Sequence, residues 1–466
     1  MWDTGWAKLA YCALAGMILG ITGCAGVSGT VNLAPPNSSV SLTFSADSSS
    51  IVSGDSVTLQ WSAVNATSVQ INGVGAVSAQ GSMTVSPSAT TTYTAVASNA
   101  SGSTSKAVTI TVLPEPFLIV SNHGPDNYYF GPSSLNESVS VYAINPSDSS
   151  LTHVSGLGDQ DLFTAGTESS NIPPLVSADG RWVFLLYSDG GVLTTAEFSL
   201  DKNGNLSGRR QVSPAGTYMI ASNPSSSIAM LWSQAGQLQS MRIESDGQLE
   251  ALGAVPLSVP CMISKFDVSG GHFLCTEAES SGTITEIFRV DLQSGAMSDL
   301  GTLPSQANGT MPLGFDASEK HILTYRISPT QNAYSEQVLV FDFNATQGTV
   351  AFNNAALTTP PHSSDANPIV LSGDFLFARN GTGTVTTYRL DPDKGTFSAP
   401  LASFPTNTDF TIPFIADGPT NSLISLGMQA NKVSSFHLNM NSGAIVKSNG
   451  PYQAGSAPEF MAIAHQ

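Results

Sequence analysis

Charged side chains are scarce in this sequence, at 11% of 466 residues, and basic ones are scarcest, with 16 Lys and Arg against 34 Asp and Glu. The resulting charge of −18 lacks the basic footprint that neutralises phosphates, so nucleic acid is excluded as a partner class. With only 4 Cys there is no dense disulfide framework and no Cys-based zinc cluster. The 7 His are scattered, with no pair at a ligand spacing on one strand, so no metal is expected, and nothing implies a cofactor. The Gly-x-Ser-x-Gly elbow of serine hydrolases is missing. What fills the chain instead is 41% hydrophobic residues set among Ser, Thr, Asn, Gln, 42 Gly and 27 Pro. Short β-branched runs between frequent turn residues describe an all-β protein and argue against wholesale disorder.

The N-terminal apolar run, Leu9 to Thr22, has the length of a signal-peptide core and is short for a spanning helix of about 20 residues. It ends in Ile21-Thr22-Gly23-Cys24, which resembles the lipobox of bacterial lipoproteins: a branched apolar residue, two small residues, then a cysteine. The resemblance implies that residues 1–23 are removed and that Cys24 carries lipid. The lipid anchor would make the membrane a partner and give an exported address, with Ala25 pointing to the outer membrane. Residues 24–39, rich in Gly, Ser, Asn and Pro, read as a flexible tether. In that oxidising space Cys261 and Cys275 remain, flanking a hairpin pattern that turns at Ser269-Gly270-Gly271. With a turn centred near Val268 they would face each other across the hairpin, as a disulfide or as two buried thiols.

From residue 40 to 114 six short alternating segments follow: Val40–Phe44, Ser56–Trp61, Ser68–Ile71, Ser82–Val85, Thr92–Val96 and Ala107–Val112. This is a sandwich pattern of six or seven strands, with Trp61 as core plug. Through Val57-Thr58-Leu59-Gln60-Trp61-Ser62, the Gly73-Val74-Gly75 turn and Thr90-Thr91-Thr92-Tyr93-Thr94, the segment resembles bacterial immunoglobulin-like domains. The resemblance implies a small immunoglobulin-like β-sandwich acting as a spacer.

Residues 115–466 repeat one unit: a run of β-branched or polar residues, an aromatic or Met, an Asx- and Gly-rich turn, and another apolar residue. The anchors are Tyr142, Phe198, Met241, Phe288, Phe341, Tyr388 and Phe436, an average period of 49 residues. Seven copies with several strands each predict a seven-bladed β-propeller. The first copy is preceded by a single strand, Phe117 to Ser121, and the stretch 457–463 reads as the missing inner strand that closes the ring.

With units such as Tyr388-Arg389-Leu390-Asp391-Pro392-Asp393-Lys394-Gly395-Thr396-Phe397, this half resembles the seven-bladed lactonase family related to 6-phosphogluconolactonase. The resemblance implies a site at the channel mouth built from a Pro-Arg-His strand start, a Glu and an Asn-Arg-Gly strand end. Here Pro260-Cys261-Met262 replaces the first, and Pro173-Pro174-Leu175 lacks the histidine expected at the second blade. Glu277 matches the glutamate, and Arg379-Asn380-Gly381 carries the arginine one place early, so Glu277 and Arg379 are the catalytic candidates. Candidate ligand-binding residues are His123, Tyr128 and Tyr129, in the long aromatic loop after Asn122, together with Arg326 and His362. The Asp201-Lys202-Asn203-Gly204-Asn205 run alternates oxygen donors as a calcium loop would, but equivalent slots recur in other repeats, so it reads as an Asx-type hairpin turn.

With half of the family's catalytic set absent, the favoured reading is a propeller that binds a carbohydrate, lactone or protein, or serves as a scaffold. The second reading is a lactone hydrolase acting on a sugar lactone or cyclic ester.

Overall fold

The computed structural model describes residues 39–52, 56–87, 89–113, 116–122, 137–158, 168–169, 173–189, 192–213, 216–257, 259–279, 282–329, 334–359, 369–379, 384–405, 414–427, 431–455 and 458–466. Residues 1–38, which include Cys24 and nearly all of the expected signal and tether, lie outside them, as do His123, Tyr128, Tyr129 and His362. Two compact units are present, one reaching Thr111 apart from a short segment at 52–55, the other running from Val112 to Gln466. Among the described residues no helix is long and apolar enough to cross a membrane.

The first unit consists of two sheets. One orders Ser41–Ala46, Val57–Val64 and Gln80–Val85; the other orders Ser50–Val52, Gly102–Leu113, Thr91–Asn99, Ser68–Ile71 and Gly75–Val77. Period-2 alternation drives this: Val57, Leu59, Trp61 and Ala63 are buried on one face of their strand while Gln60 and Val64 face out. The Trp61 indole N–H donates to the Ser78 carbonyl at 2.8 Å. Its ring covers Gly81, where a Cβ would sit 2.8 Å from it, so a residue without a side chain is needed there. The two strands not foreseen in the sequence, Ser50–Val52 and Gly75–Val77, have three residues each, too few to show alternation.

The second unit contains seven sheets. From the innermost strand outward, blade 1 orders Pro458–Ala464, Phe117–Asn122, Val139–Ile144 and Leu151–Leu157. In blade 2, Leu175–Val176 and Glu168–Ser169 share the inner edge of Trp182–Asp189, followed by Val192–Leu200 and Leu206–Gln211. Blade 3 comprises Thr217–Ser222, Ile228–Ser233, Gln237–Ile243 and Leu249–Pro256; blade 4, Cys261–Phe266, His272–Glu279, Gly282–Val290 and Met297–Thr302. Blade 5 comprises Met311–Phe315, His321–Pro329, Tyr334–Asn344 and Thr349–Thr358; blade 6, Ile369–Ser372, Phe375–Arg379, Thr384–Arg389 and Ala402–Pro405; blade 7, Phe414–Asp417, Ser422–Gly427, Lys432–Asn439 and Ala444–Gln453.

The innermost strands touch their neighbours around a complete circuit, blade 7 meeting blade 1 through Pro458–Ala464, so the sheets close a propeller around a central channel. Alternation again explains it, because successive side chains of a strand point into opposite neighbouring blades. Phe117 and Ile119 pack with Val183 and Phe198 of blade 2, whereas Leu118 and Val120 pack with Ile424 and Leu426 of blade 7. Equivalent apolar clusters fill the other blade interfaces. The repeat anchors are the buried third-strand plugs: Tyr142 and Phe341 are fully buried, and the remaining five are buried too.

The Asx turns are as the sequence suggests. Asp201 Oδ1 accepts the backbone N–H groups of Asn203 and Asn205, both at 2.8 Å, and Asn145, Asp291, Asn344, Asp391 and Asn439 cap the equivalent turns of other blades.

Candidate site at the channel mouth

The second strand of each blade runs toward the end of the channel where the innermost strands begin. This topology brings Glu277 of blade 4, Arg326 of blade 5 and Arg379 of blade 6 to the same mouth. Glu277 stands in a central strand of its blade, opposite Cys261 on one side and Ile284 on the other, and is only 4% exposed. A carboxylate held this far from solvent is costly unless hydrogen-bonded or used, which is the usual condition of a positioned acid or base.

The strand facing Glu277 departs from the sequence expectation. The hairpin is fastened across Asp267 and His272, so its turn is centred beyond Val268, and Cys275 lies opposite Ser264 rather than Cys261. An extra residue, Met262, bulges out between Cys261 and Ile263 and is 61% exposed. The bulge moves Cys261 opposite Glu277 and leaves it diagonal to Cys275; the two Cys are bonded, with Cα atoms 5.3 Å apart. Neither Cys261 nor Met262 is therefore able to supply the acid–base chemistry of the Arg and His they replace.

Arg379 ends its strand half-buried, and burial pushes its guanidinium below the ordinary arginine value. Its Nε is buried with no acceptor among the described residues. A planar cation with an open donor at a channel mouth suits a developing oxyanion. Arg326 is exposed, and its Nε donates to Gln337 Oε1 at 2.8 Å, which fixes the side chain across the blade rather than over the channel.

The structure adds a group that sequence reasoning missed. Glu336, fully buried, stands at the mouth end of the third strand of blade 5, where Thr359 Oγ1 donates to its Oε2 at 2.5 Å. Burial pushes the pKa of neighbouring Tyr325 upward, and the Glu336 charge adds to the rise. No sequence signal singled it out: five places before the anchor the first repeat also has a carboxylate, Glu137, which pairs with His153 at 3.0 Å, while the other repeats have Leu193, Gly236, Thr283, Gly383 and Asn431.

At the opposite end of the ring, two buried His–Asp pairs tie the inner hairpins. His272 Nδ1 lies 2.7 Å from Asp267 Oδ2, and His321 Nδ1 lies 3.2 Å from Asp316 Oδ2, with each Asp also accepting the backbone N–H of its His. These pairs hold turns. Among the described residues no three His, Cys, Asp or Glu side chains converge as a metal site.

No family model matches the chain, and no curated protein matches it. Solved structures do. A periplasmic gluconolactonase from Pseudomonas aeruginosa covers 75% of this chain with 99% of its own, at TM-score 0.53 and 15% identity. The likeness is one of fold. A protein from Lactobacillus plantarum aligns over 75% of this chain and 99% of its own at TM-score 0.54 and 14% identity. A protein described as a candidate 6-phosphogluconolactonase, from Bacteroides uniformis, covers the same share at TM-score 0.51 and 14% identity. The propeller is thus of the type found in 6-phosphogluconolactonase-like proteins.

Proposed function

We propose that the propeller hydrolyses a sugar lactone or related cyclic ester at the Glu277 mouth. The observation that carries this reading is Glu277 itself, a buried carboxylate at the mouth of a ring whose fold is that of lactonase-type neighbours. Glu277, or Glu336 in the next blade, would take a proton from water as it attacks the lactone carbonyl. Arg379 would stabilise the oxyanion, and the proton would pass to the departing ring oxygen, leaving a hydroxyl and a carboxylic acid that ionises to solvent. The scaffold reading lacks a comparable observation in its favour.

The test is turnover of δ-gluconolactone and 6-phosphogluconolactone by the purified chain and by Glu277→Gln, corrected for spontaneous opening. Loss of a positioned base lowers kcat by about 10²- to 10⁴-fold. Wild-type turnover no faster than the spontaneous rate refutes the reading, and turnover indifferent to Glu277→Gln moves the base to Glu336.

The same proposal places the protein outside the cytoplasm. Ile21-Thr22-Gly23-Cys24 supports lipid attachment at Cys24 and an outer-membrane address, and the two-sheet unit is read as an immunoglobulin-like spacer that carries the propeller clear of the membrane. Cys24→Ser should shift the protein from the detergent to the aqueous phase; unchanged partitioning refutes the anchor.

A further inference from the structure

Four residues beyond Cys261, on the same innermost strand, Lys265 projects into the channel. Ser264 before it turns the other way and donates to the Ile220 carbonyl of blade 3 at 2.8 Å, so Ile263 and Lys265 share the side toward blade 5. There they line a cleft of about 150 Å³ whose other walls are apolar or aromatic, among them Pro312, Leu313, Tyr325 and Val370. Lys265 is open to channel solvent, and no hydrogen bond or ion pair ties it to any described residue. In a chain with 34 acidic residues and 16 basic ones, a lysine without a carboxylate partner beside an apolar cleft is an arrangement with charge complementarity toward an anion.

We propose that Lys265 and the adjoining cleft form a binding site for a small organic monocarboxylate, the amine holding the carboxylate and the cleft holding an apolar body. A cavity of about 150 Å³ accommodates a benzene-sized group, and the side chains that line this one beside Lys265 are apolar or aromatic. The site lies further along the channel than Glu277 and does not depend on lactone hydrolysis.

Benzoate is the probe. Equilibrium titration of the whole protein should show saturable binding at one site, with Kd in the range of about 0.1–1 mM for a ligand of this size. Lys265→Met, which keeps the length and apolar stem, should weaken it by about 10- to 100-fold, the worth of a charged hydrogen bond, and Lys265→Arg should retain it. Benzyl alcohol, of the same shape without the charge, should bind as poorly as benzoate does to the Met variant. A measurement on the unaltered protein guards against a misfolded variant: benzoate should slow acetylation of Lys265, read by peptide mass spectrometry, while leaving exposed Lys202 unaffected. Absence of saturable binding overturns the proposal. So does equal binding by Lys265→Met, equal protection by sulfate, or protection of Lys202 alongside Lys265.

Discussion

Closure of the ring through Pro458–Ala464 makes a sharp thermodynamic prediction. This strand pairs with Phe117–Asn122 and buries Met461 and Ala464 between blades 1 and 7 and blades 1 and 2. Its neighbours stitch the seam: His465 Nε2 lies 2.9 Å from Asp417 Oδ1 of blade 7, and Gln466 Nε2 donates to the carbonyls of Leu200 and Gly180 in blade 2 at 3.0 and 3.3 Å. Deleting residues 458–466 removes Met461 and half-buried Ile463 and uncovers Leu118 and Val120, which are fully buried. At about 1.5–3 kcal/mol per buried side chain, and less for those only partly uncovered, the loss is roughly 6–8 kcal/mol. That is comparable with the entire stability of a typical domain, about 5–15 kcal/mol. The deleted protein should lose the cooperative urea transition reported by Trp182 and Trp232, while the transition reported by Trp61 in the first unit persists. Met461→Ala should give a graded version, about 2–5 kcal/mol, as expected for a buried Met truncated to Ala. A deletion variant that unfolds at the wild-type midpoint would refute the closure and the interface reasoning behind it.

Further outcomes follow from the outer strands and the mouth. Burial pushes Glu197 up to about 7, further than the Arg210 charge and hydrogen bond at 2.7 Å pull it back, with Asp246 adding to the rise. The folded protein therefore holds a proton that the unfolded chain releases above about 4.5, so this group's contribution is complete below that pH and fades as pH rises to about 7. Relative to Glu197→Gln, the wild type should lose about 3 kcal/mol across that window, at 1.36 kcal/mol per pH unit; a pH-independent difference in urea midpoints refutes the assignment. Reducing the Cys261–Cys275 bond opens a short loop and should cost about 3 kcal/mol, and an unchanged urea midpoint with and without dithiothreitol argues against it.

The seven blades are legible in the sequence because each blade repeats one local problem: a strand that must bury alternate side chains against both neighbours, then a tight Asx turn. Both leave residue-level marks, the anchors from Tyr142 to Phe436 and the turns at Asp201 and Asp391, and both operate within a few residues of chain. Even the closing strand was readable, since a first blade with one strand too few requires a partner from elsewhere in the chain. The mouth was only half readable. Glu277 stood out through resemblance, but Glu336 became visible only when the ring placed it beside Tyr325, because a single carboxylate in an apolar run looks like any surface charge until its neighbours are known. The Met262 bulge, the diagonal approach of Cys261 to Cys275 and the exposure of Lys265 to the channel were likewise decided by tertiary structure. Register shifts such as the Met262 bulge depend on how a strand packs as well as on its pattern, the identity of facing blades depends on residues about 50 or more positions apart, and a period-2 pattern states which side chains are inward without stating what they meet there.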